Sequence, residues 1–281
     1  MRRHRRKSRL GAVVAVLSSL SATPLAAAEV PLPDGETTRA GGVTARLVDP
    51  TDRYDHGVLG DAIEAGGMEV EIGGRVHHLR LGPDRVFEDL RVRLVDLDGD
   101  GAPEALVIET DLKHGTALAA YRLSDRGIEP LATSEPTGQP HRWLNPVGVA
   151  DFAGTGTPLA AAVVTPHVAG SLRFYRLQGK TLAEVGRLDG VTDHIAGTRN
   201  LDLSCIVDAD GDGVADVVLP SRDRTALVAV SFAGGKAVER RRSPVSGRIS
   251  ALACRGGAAT ASLDDGRRVV VDLRTGAVSS P

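Results

Sequence analysis

Leu94 to Glu104 reads LVDLDGDGAPE, and Ile206 to Asp216 reads IVDADGDGVAD. The first stretch sets Asp96, Asp98 and Asp100 at alternating positions, then Gly101, then Glu104. The second repeats this with Asp208, Asp210, Asp212, Gly213 and Asp216. Three carboxylates at positions 1, 3 and 5 of a tight loop converge on one hard cation. The backbone carbonyl at position 7 (Ala102, Val214) and the acid at position 9 complete a shell made only of oxygen, which suits Ca²⁺. Glycine at position 6 permits the sharp reversal. The closing acid falls at 9 rather than 12, and both flanks are apolar β runs, so the loop differs from an EF-hand. Two structural calcium sites are expected.

Outward from these loops the chain repeats. Apolar strand, acid-containing loop, second strand, polar loop, alternating third strand, Gly-type turn and fourth strand recur from Val43 onward. The third strands stand out at Thr116–Leu123, Ser171–Leu177 and Thr225–Phe232, and the loop acids at Asp49, Asp96, Asp151 and Asp208 lie 47, 55 and 57 residues apart. Short strands with turn signals in units of this length predict an all-β fold, a β-propeller of five four-stranded blades. The units start near residues 43, 90, 146, 201 and 247, and the propeller spans 43–281. Residues 29–42, rich in Pro and Gly, read as a leader or as an edge strand that closes the ring beside a short final unit. Asp61–Ile72 could begin as a helix, but Gly66-Gly67 would stop it.

VDLDGDGAPEALVI and VDADGDGVADVVL resemble the repeats of FG-GAP/VCBS proteins, secreted bacterial β-propellers with integrin-α-like calcium loops. The resemblance is strong over Leu90–Leu123 and Leu201–Phe232 and weaker over Pro146–Leu177. It implies calcium at Asp96, Asp98, Asp100, Ala102 and Glu104, and again at Asp208, Asp210, Asp212, Val214 and Asp216. The third loop, DFAGTGTPL from Asp151, lacks the acids and is expected to be empty. So is the first, DPTDRYDHGVLGD from Asp49, whose acids are out of register. The family includes adhesins, lectins and enzymes, so membership leaves the function open.

The N-terminus predicts export. MRRHRRKSR is a basic segment, Leu10–Leu20 an apolar run short for a bilayer, and Ala26-Ala27-Ala28 a small-residue cleavage motif. Residues 1–28 read as a signal peptide, with an uncleaved anchor as the alternative, and the protein as periplasmic or extracellular, with no membrane insertion after cleavage. The formal charge of −2 includes six basic residues in that segment, whose removal leaves 28 basic against 36 acidic residues, or −8. An acidic mature surface argues against nucleic acid as a partner. Cys205 and Cys254 are the only cysteines. They fall at equivalent first strands of neighbouring units, which predicts a disulfide, with two buried thiols as the alternative.

Loops opposite the metal rim collect His114, His141, Arg142, Trp143, His167, His194, Arg199 and Arg222, together with Asn145, Asp193, Asp223 and Arg224. Arginines offer paired donors to carboxylate or phosphate, and the single tryptophan a flat face. The competing reading is a set of solvated loops with Trp143 plugging a gap between blades. A zinc site would need His114, His141, His167 and His194 to converge. No nucleophile elbow, phosphate loop or HExxH string occurs. The expected function is a non-catalytic module binding a protein, a glycan or a small anion. The alternatives are a hydrolase or lyase using the His/Arg rim, and a purely structural envelope module.

Overall fold

The computed structural model describes residues 29–280, so the signal-peptide reading of residues 1–28 lies outside the described residues. The described chain is all-β. Its helical content is one 3₁₀ turn at Gly57–Leu59. No helix there is long and apolar enough to cross a membrane.

Five antiparallel four-stranded units follow one another. Unit one comprises β1 (Thr38–Ala40), β2 (Val43–Thr51), β3 (Glu64–Ile72) and β4 (Arg75–Arg80), followed by a short β5 (Arg85–Phe87). Unit two comprises β6 (Arg93–Val95), β7 (Glu104–Asp111), β8 (Gly115–Ser124) and β9 (Gly127–Thr133). Unit three has β10 (Leu144–Ala150), β11 (Leu159–Val164), β12 (Ser171–Gln178) and β13 (Thr181–Asp189). Unit four has β14 (Cys205–Val207), β15 (Asp216–Pro220), β16 (Ala226–Ala233) and β17 (Lys236–Pro244). Unit five has β18 (Ile249–Arg255), β19 (Ala258–Leu263), β20 (Arg268–Asp272) and β21 (Val278–Ser279). Units four and five are separate sheets. Units one to three join edge to edge, through β5 between β3 and β7, and through a parallel bridge of Thr133 to Thr181 between β9 and β13. First strands neighbour one another in the order β1, β6, β10, β14, β18.

Strand composition follows position. The second strands of units two, three and four are covered on both faces, such as LAAAVV in β11, buried throughout, whereas β2 and β19 alternate between buried and half-buried positions. Fourth strands are half-exposed and charged, such as KAVERRRSP in β17. Between units three and four, Phe174 packs on Phe152 and Phe232 with ring centroids 5.1 Å apart in each pair. Each such side chain, moved from water to the core, contributes about 1.5–3 kcal/mol. A larger cluster joins the leader with units one and two and reaches unit three through Trp143, and a third joins units four and five. Among the described residues, no apolar cluster joins unit five to unit one.

The structure changes the frame of unit one. Its first strand is Thr38–Ala40, inside the segment read as a leader, and it pairs with β2 rather than completing the last unit. Pro31 adds a bridge to Val48 in the same unit. Unit five supplies its own fourth strand, β21, paired with β20. Asp49 therefore sits in a second strand, and the first-to-second turn of unit one is Gly41-Gly42. Unit five has the matching turn, Gly256-Gly257. Glu64–Ile72 is strand throughout, because its side chains alternate between the core (Met68, Val70) and a charged face (Glu69, Glu71).

Cys205 of β14 and Cys254 of β18 are disulfide-bonded, with Cα atoms 6.2 Å apart and a sequence separation of 49. The bond ties two inner strands of units that are also joined by an apolar cluster, by the Arg224–Asp264 ion pair and by hydrogen bonds between Arg224 and Ile249. For a loop of this length the chain-entropy argument gives about 4 kcal/mol at most. Replacing both cysteines with serine should lower the unfolding free energy by about 2–4 kcal/mol in urea titration. An unchanged midpoint, or two thiols reacting in the denatured, unreduced protein, would contradict this.

Candidate functional site

The two aspartate loops fold alike. Asp96 accepts the amides of Gly99 (2.7 Å) and Gly101 (3.0 Å), and Asp208 those of Gly211 (2.6 Å) and Gly213 (3.0 Å). Gly101 and Gly213 have φ of 88° and 86°, a left-handed turn that favours glycine. The closing acids are buried at the start of the second strands. Glu104 accepts the Leu97 amide and Asp216 the Ala209 amide, each at 2.9 Å. Carboxylate oxygens of Asp96, Asp98 and Glu104 lie within 4.8 Å of one another, as do those of Asp208, Asp210 and Asp216, so either group could hold a metal ion. Burial raises the pKa of Glu104 and Asp216, and the neighbouring aspartates raise it further. That repulsion is what a bound cation would relieve. Asp100 and Asp212 stand outside these groups and accept the amides of Ala102 and Val214, both at 2.8 Å. In the third loop Asp151 alone accepts Thr155 and Gly156 amides.

At the other strand ends, second-to-third and inter-unit loops enclose two adjoining pockets. One, of about 350 Å³, is lined by His167, His194, Arg222, Asp223, Arg224 and Arg248. The other, of about 460 Å³, is lined by His56, His141, Arg142, Trp143 and His167. His167, Val168 and Ala196 belong to both. The turn that carries His167 depends on Gly170. Its φ is +66°, and a Cβ there would lie 1.9 Å from the Val191 carbonyl oxygen.

His194 is 2% exposed. Its Nε2 faces the Thr198 carbonyl at 2.9 Å, so Nε2 carries the hydrogen. The neutral ring's Nδ1 then accepts from His167 Nε2 at 2.9 Å. Burial lowers the His194 pKa to about 4. His167 is lowered in the same direction by the dehydrated edge it packs inward, although its outer edge is exposed. Asp223, held by Ser221 Oγ at 2.6 Å and the Thr225 amide at 3.1 Å, is lowered to about 2. Arg224 pairs with Asp264 at 3.2 Å. Arg142, Arg222 and Arg248 form no ion pair among the described residues.

Of the residues singled out in sequence, His141, Arg142, Trp143, His167, His194 and Arg222 thus come together. His114 does not: it pairs with Asp111 at 2.9 Å and lines a separate pocket of about 190 Å³. Arg199 is structural, bridging Asp34 (2.8 Å) of the leader and Asp61 (2.5 Å). Trp143 is 2% exposed, stacked on His167 with Nε1 donating to the Glu88 carbonyl, so it offers no open face. Asn145 and Asp193 are buried behind the site and bonded to each other at 3.1 Å. The four histidines proposed for zinc do not form a metal-binding group among the described residues.

Sequence reasoning missed His56 and Arg248. His56 was assigned to an empty acidic loop. It instead pairs through Nδ1 with the buried Glu88, whose other oxygen takes Thr110 Oγ1 at 2.7 Å. Tyr54 beside it receives the His141 amide. The length of the 52–63 excursion was the only available signal.

No family model and no curated protein matches the chain. Among solved structures, BBS1N in complex with ARL6DN is 12% identical, with 90% of this chain and 68% of that chain covered and a TM-score of 0.50. The exotype rhamnogalacturonan lyase YesX is 16% identical, with 89% of this chain and 52% of that chain covered and a TM-score of 0.54. The chain thus spans about half the length of the lyase. At these identities the likeness concerns fold alone.

His194 gives the site a pH signature. Unfolded, its ring takes a proton near 6.5, whereas folded it does so near 4. Between these values the unfolded chain binds more protons, so the contribution to stability is complete above pH 6.5 and is lost as pH falls toward 4. Over that window the protein should lose up to about 3 kcal/mol more stability than His194→Gln. Equal pH slopes in urea titrations would refute the assignment.

Proposed function

We propose that this chain is an exported, calcium-stabilised β-propeller of five blades, of the FG-GAP/VCBS type, that binds a small anionic ligand without transforming it. Five successive four-stranded meanders with neighbouring first strands support the propeller, as does likeness in fold to the two solved structures. Oxygen-only donor groups at Asp96/Asp98/Glu104 and Asp208/Asp210/Asp216 support calcium. Bound metal would neutralise clustered carboxylates and order both turns. The disulfide supports an oxidising compartment.

One observation carries the ligand reading. Arg222 and Arg248, neither ion-paired, line one pocket beside a buried neutral imidazole, with Asp223 already held by its own turn. Guanidinium groups without a carboxylate partner suit a carboxylate or phosphate. The second reading is a hydrolase or lyase. The His194–His167 relay favours it, because it leaves Nδ1 of a neutral His167 as a proton acceptor. Turnover of an acidic substrate that disappears in His167→Ala while binding persists would select that reading.

Two measurements test the proposal. Calcium at a hundred times its dissociation constant adds about 2.7 kcal/mol per site, or roughly 5–10 °C in melting temperature. Thermal melts in EDTA and in millimolar calcium should differ by at least this much, and Asp98→Ala or Asp210→Ala should each remove part of the shift. No shift would mean that the turns are empty. Calorimetric titration with phosphate, citrate and galacturonate should show binding that neutral galactose lacks. Arg248→Ala should weaken that binding roughly tenfold or more, the worth of a charged hydrogen bond. Equal binding of galactose, or no effect of Arg248→Ala, would reject the anion pocket.

A further inference from the structure

Resting on the anion reading above, we infer that the two pockets form one cleft for an extended acidic oligosaccharide. One carboxylate sits among the arginines of units four and five, and the next reaches toward Arg142. The pockets are continuous because His167, Val168 and Ala196 wall both. Guanidinium groups without a carboxylate partner among the described residues stand in each pocket: Arg222, which donates to the Val168 carbonyl at 3.1 Å, and Arg248 in the smaller, Arg142 in the larger. A single small anion would satisfy one end and leave the other uncompensated. A ligand with repeated charges satisfies both.

The lining between the ends selects the class of polyanion. His167 keeps Nδ1 and His56 keeps Nε2 for a ligand, their other ring nitrogens facing His194 and Glu88, and His141 adds a third imidazole; ring nitrogens of this kind suit hydroxyl groups. Val168, 49% exposed, and Ala196 add small aliphatic surface at the junction. Hydrogen-bonding rings beside aliphatic patches match a pyranose, whose edge is polar and whose C–H face is not. Arginine clusters also recognise acidic peptides, so it is the imidazole and aliphatic lining between the ends, rather than the arginines, that favours the sugar. The residues used here lie on loops outside the named strands.

Calorimetry of the purified protein with mono-, di- and tetragalacturonate, and with tetraglutamate, tests this. The inferred cleft requires affinity to rise about tenfold or more from the monomer to the longer chains, as a second linked contact provides. Arg142→Ala should flatten that rise by weakening the longer chains more than the monomer, and Arg248→Ala should weaken every member. Thermal melts of both variants would confirm that they fold. Affinity independent of length, or a rise that survives Arg142→Ala, overturns the cleft but leaves the single anion pocket standing. Tetraglutamate binding as tightly as tetragalacturonate overturns the choice of a sugar. No binding by any member overturns both the cleft and the anion pocket.

Discussion

The reversal between the first and second strand of each unit is the constraint on which the rest depends. These turns close the ends of short inner strands that lie side by side, so there is little room for a loop. The protein meets the constraint in three ways. Units one and five use Gly-Gly, with φ of 56° and 76° at Gly41 and Gly42 and of 57° and 82° at Gly256 and Gly257. Unit three uses one carboxylate, Asp151, to gather the amides of its own turn. Units two and four gather amides in the same way but crowd further carboxylates beside them and bury the closing acid. Only in these two does the turn acquire a charge imbalance, and only there does a cation gain a reason to bind. The acidic loops of units two and four are then an elaboration of a turn that forms elsewhere in the chain with glycines or a single carboxylate.

The opposite strand ends escape this constraint and carry the long loops. The excursion at 52–63 and the loop at 190–204 meet each other: the Gly197 amide donates to the Val58 carbonyl at 2.8 Å, and Arg199 holds Asp61. Asn145 of β10 fastens the same loop from behind, through Asp193 and the Leu201 carbonyl. Asp193 is wholly buried, and burial raises its pKa well above the ordinary carboxylate value. A polar group so placed is costly unless it fixes something. Here it fixes the backbone that presents His194. Structural and site residues alternate along the loop, which explains why a sequence scan for polar rim residues collected both kinds.

What could be read from the sequence was what repeats locally. The aspartate spacing, the third strands and the equivalence of Cys205 with Cys254 all depend on neighbours within one or two units, and the structure shows each of them, although the third strands are buried almost throughout rather than on alternate residues. The frame of unit one was illegible because Thr38–Ala40 is three residues long, too short for any period, and is recognised as a strand only by pairing with Thr44 and Ala45. Trp143 illustrates the other limit. Its position in an inter-unit loop suggested exposure, but its depth is set by Glu88, 55 residues away, and by His167 from the next turn. Arg248 is a single charge just before β18 and carries no local signal. Its neighbourhood with Arg222 and His194 exists only after units four and five pack. Long-range packing decides which polar side chains share a pocket, and no local pattern encodes it.

The charge of the smaller pocket is held constant by groups that do not titrate near neutrality. Arginine stays protonated throughout the physiological range. Asp223 remains ionised down to about pH 2 because its turn donates to it, and His194 remains neutral down to about pH 4 because it is buried. Neutral His194 adds hydrogen bonding without adding charge. A histidine left in water would change charge across the same range and would make affinity follow the protein's own protonation. Burying it against Trp143 and beside His167 removes that dependence, and outweighs the Thr198 carbonyl, which pulls the other way. The pocket's own charge therefore does not change across the physiological range, and the buried ring serves to hold His167 in place.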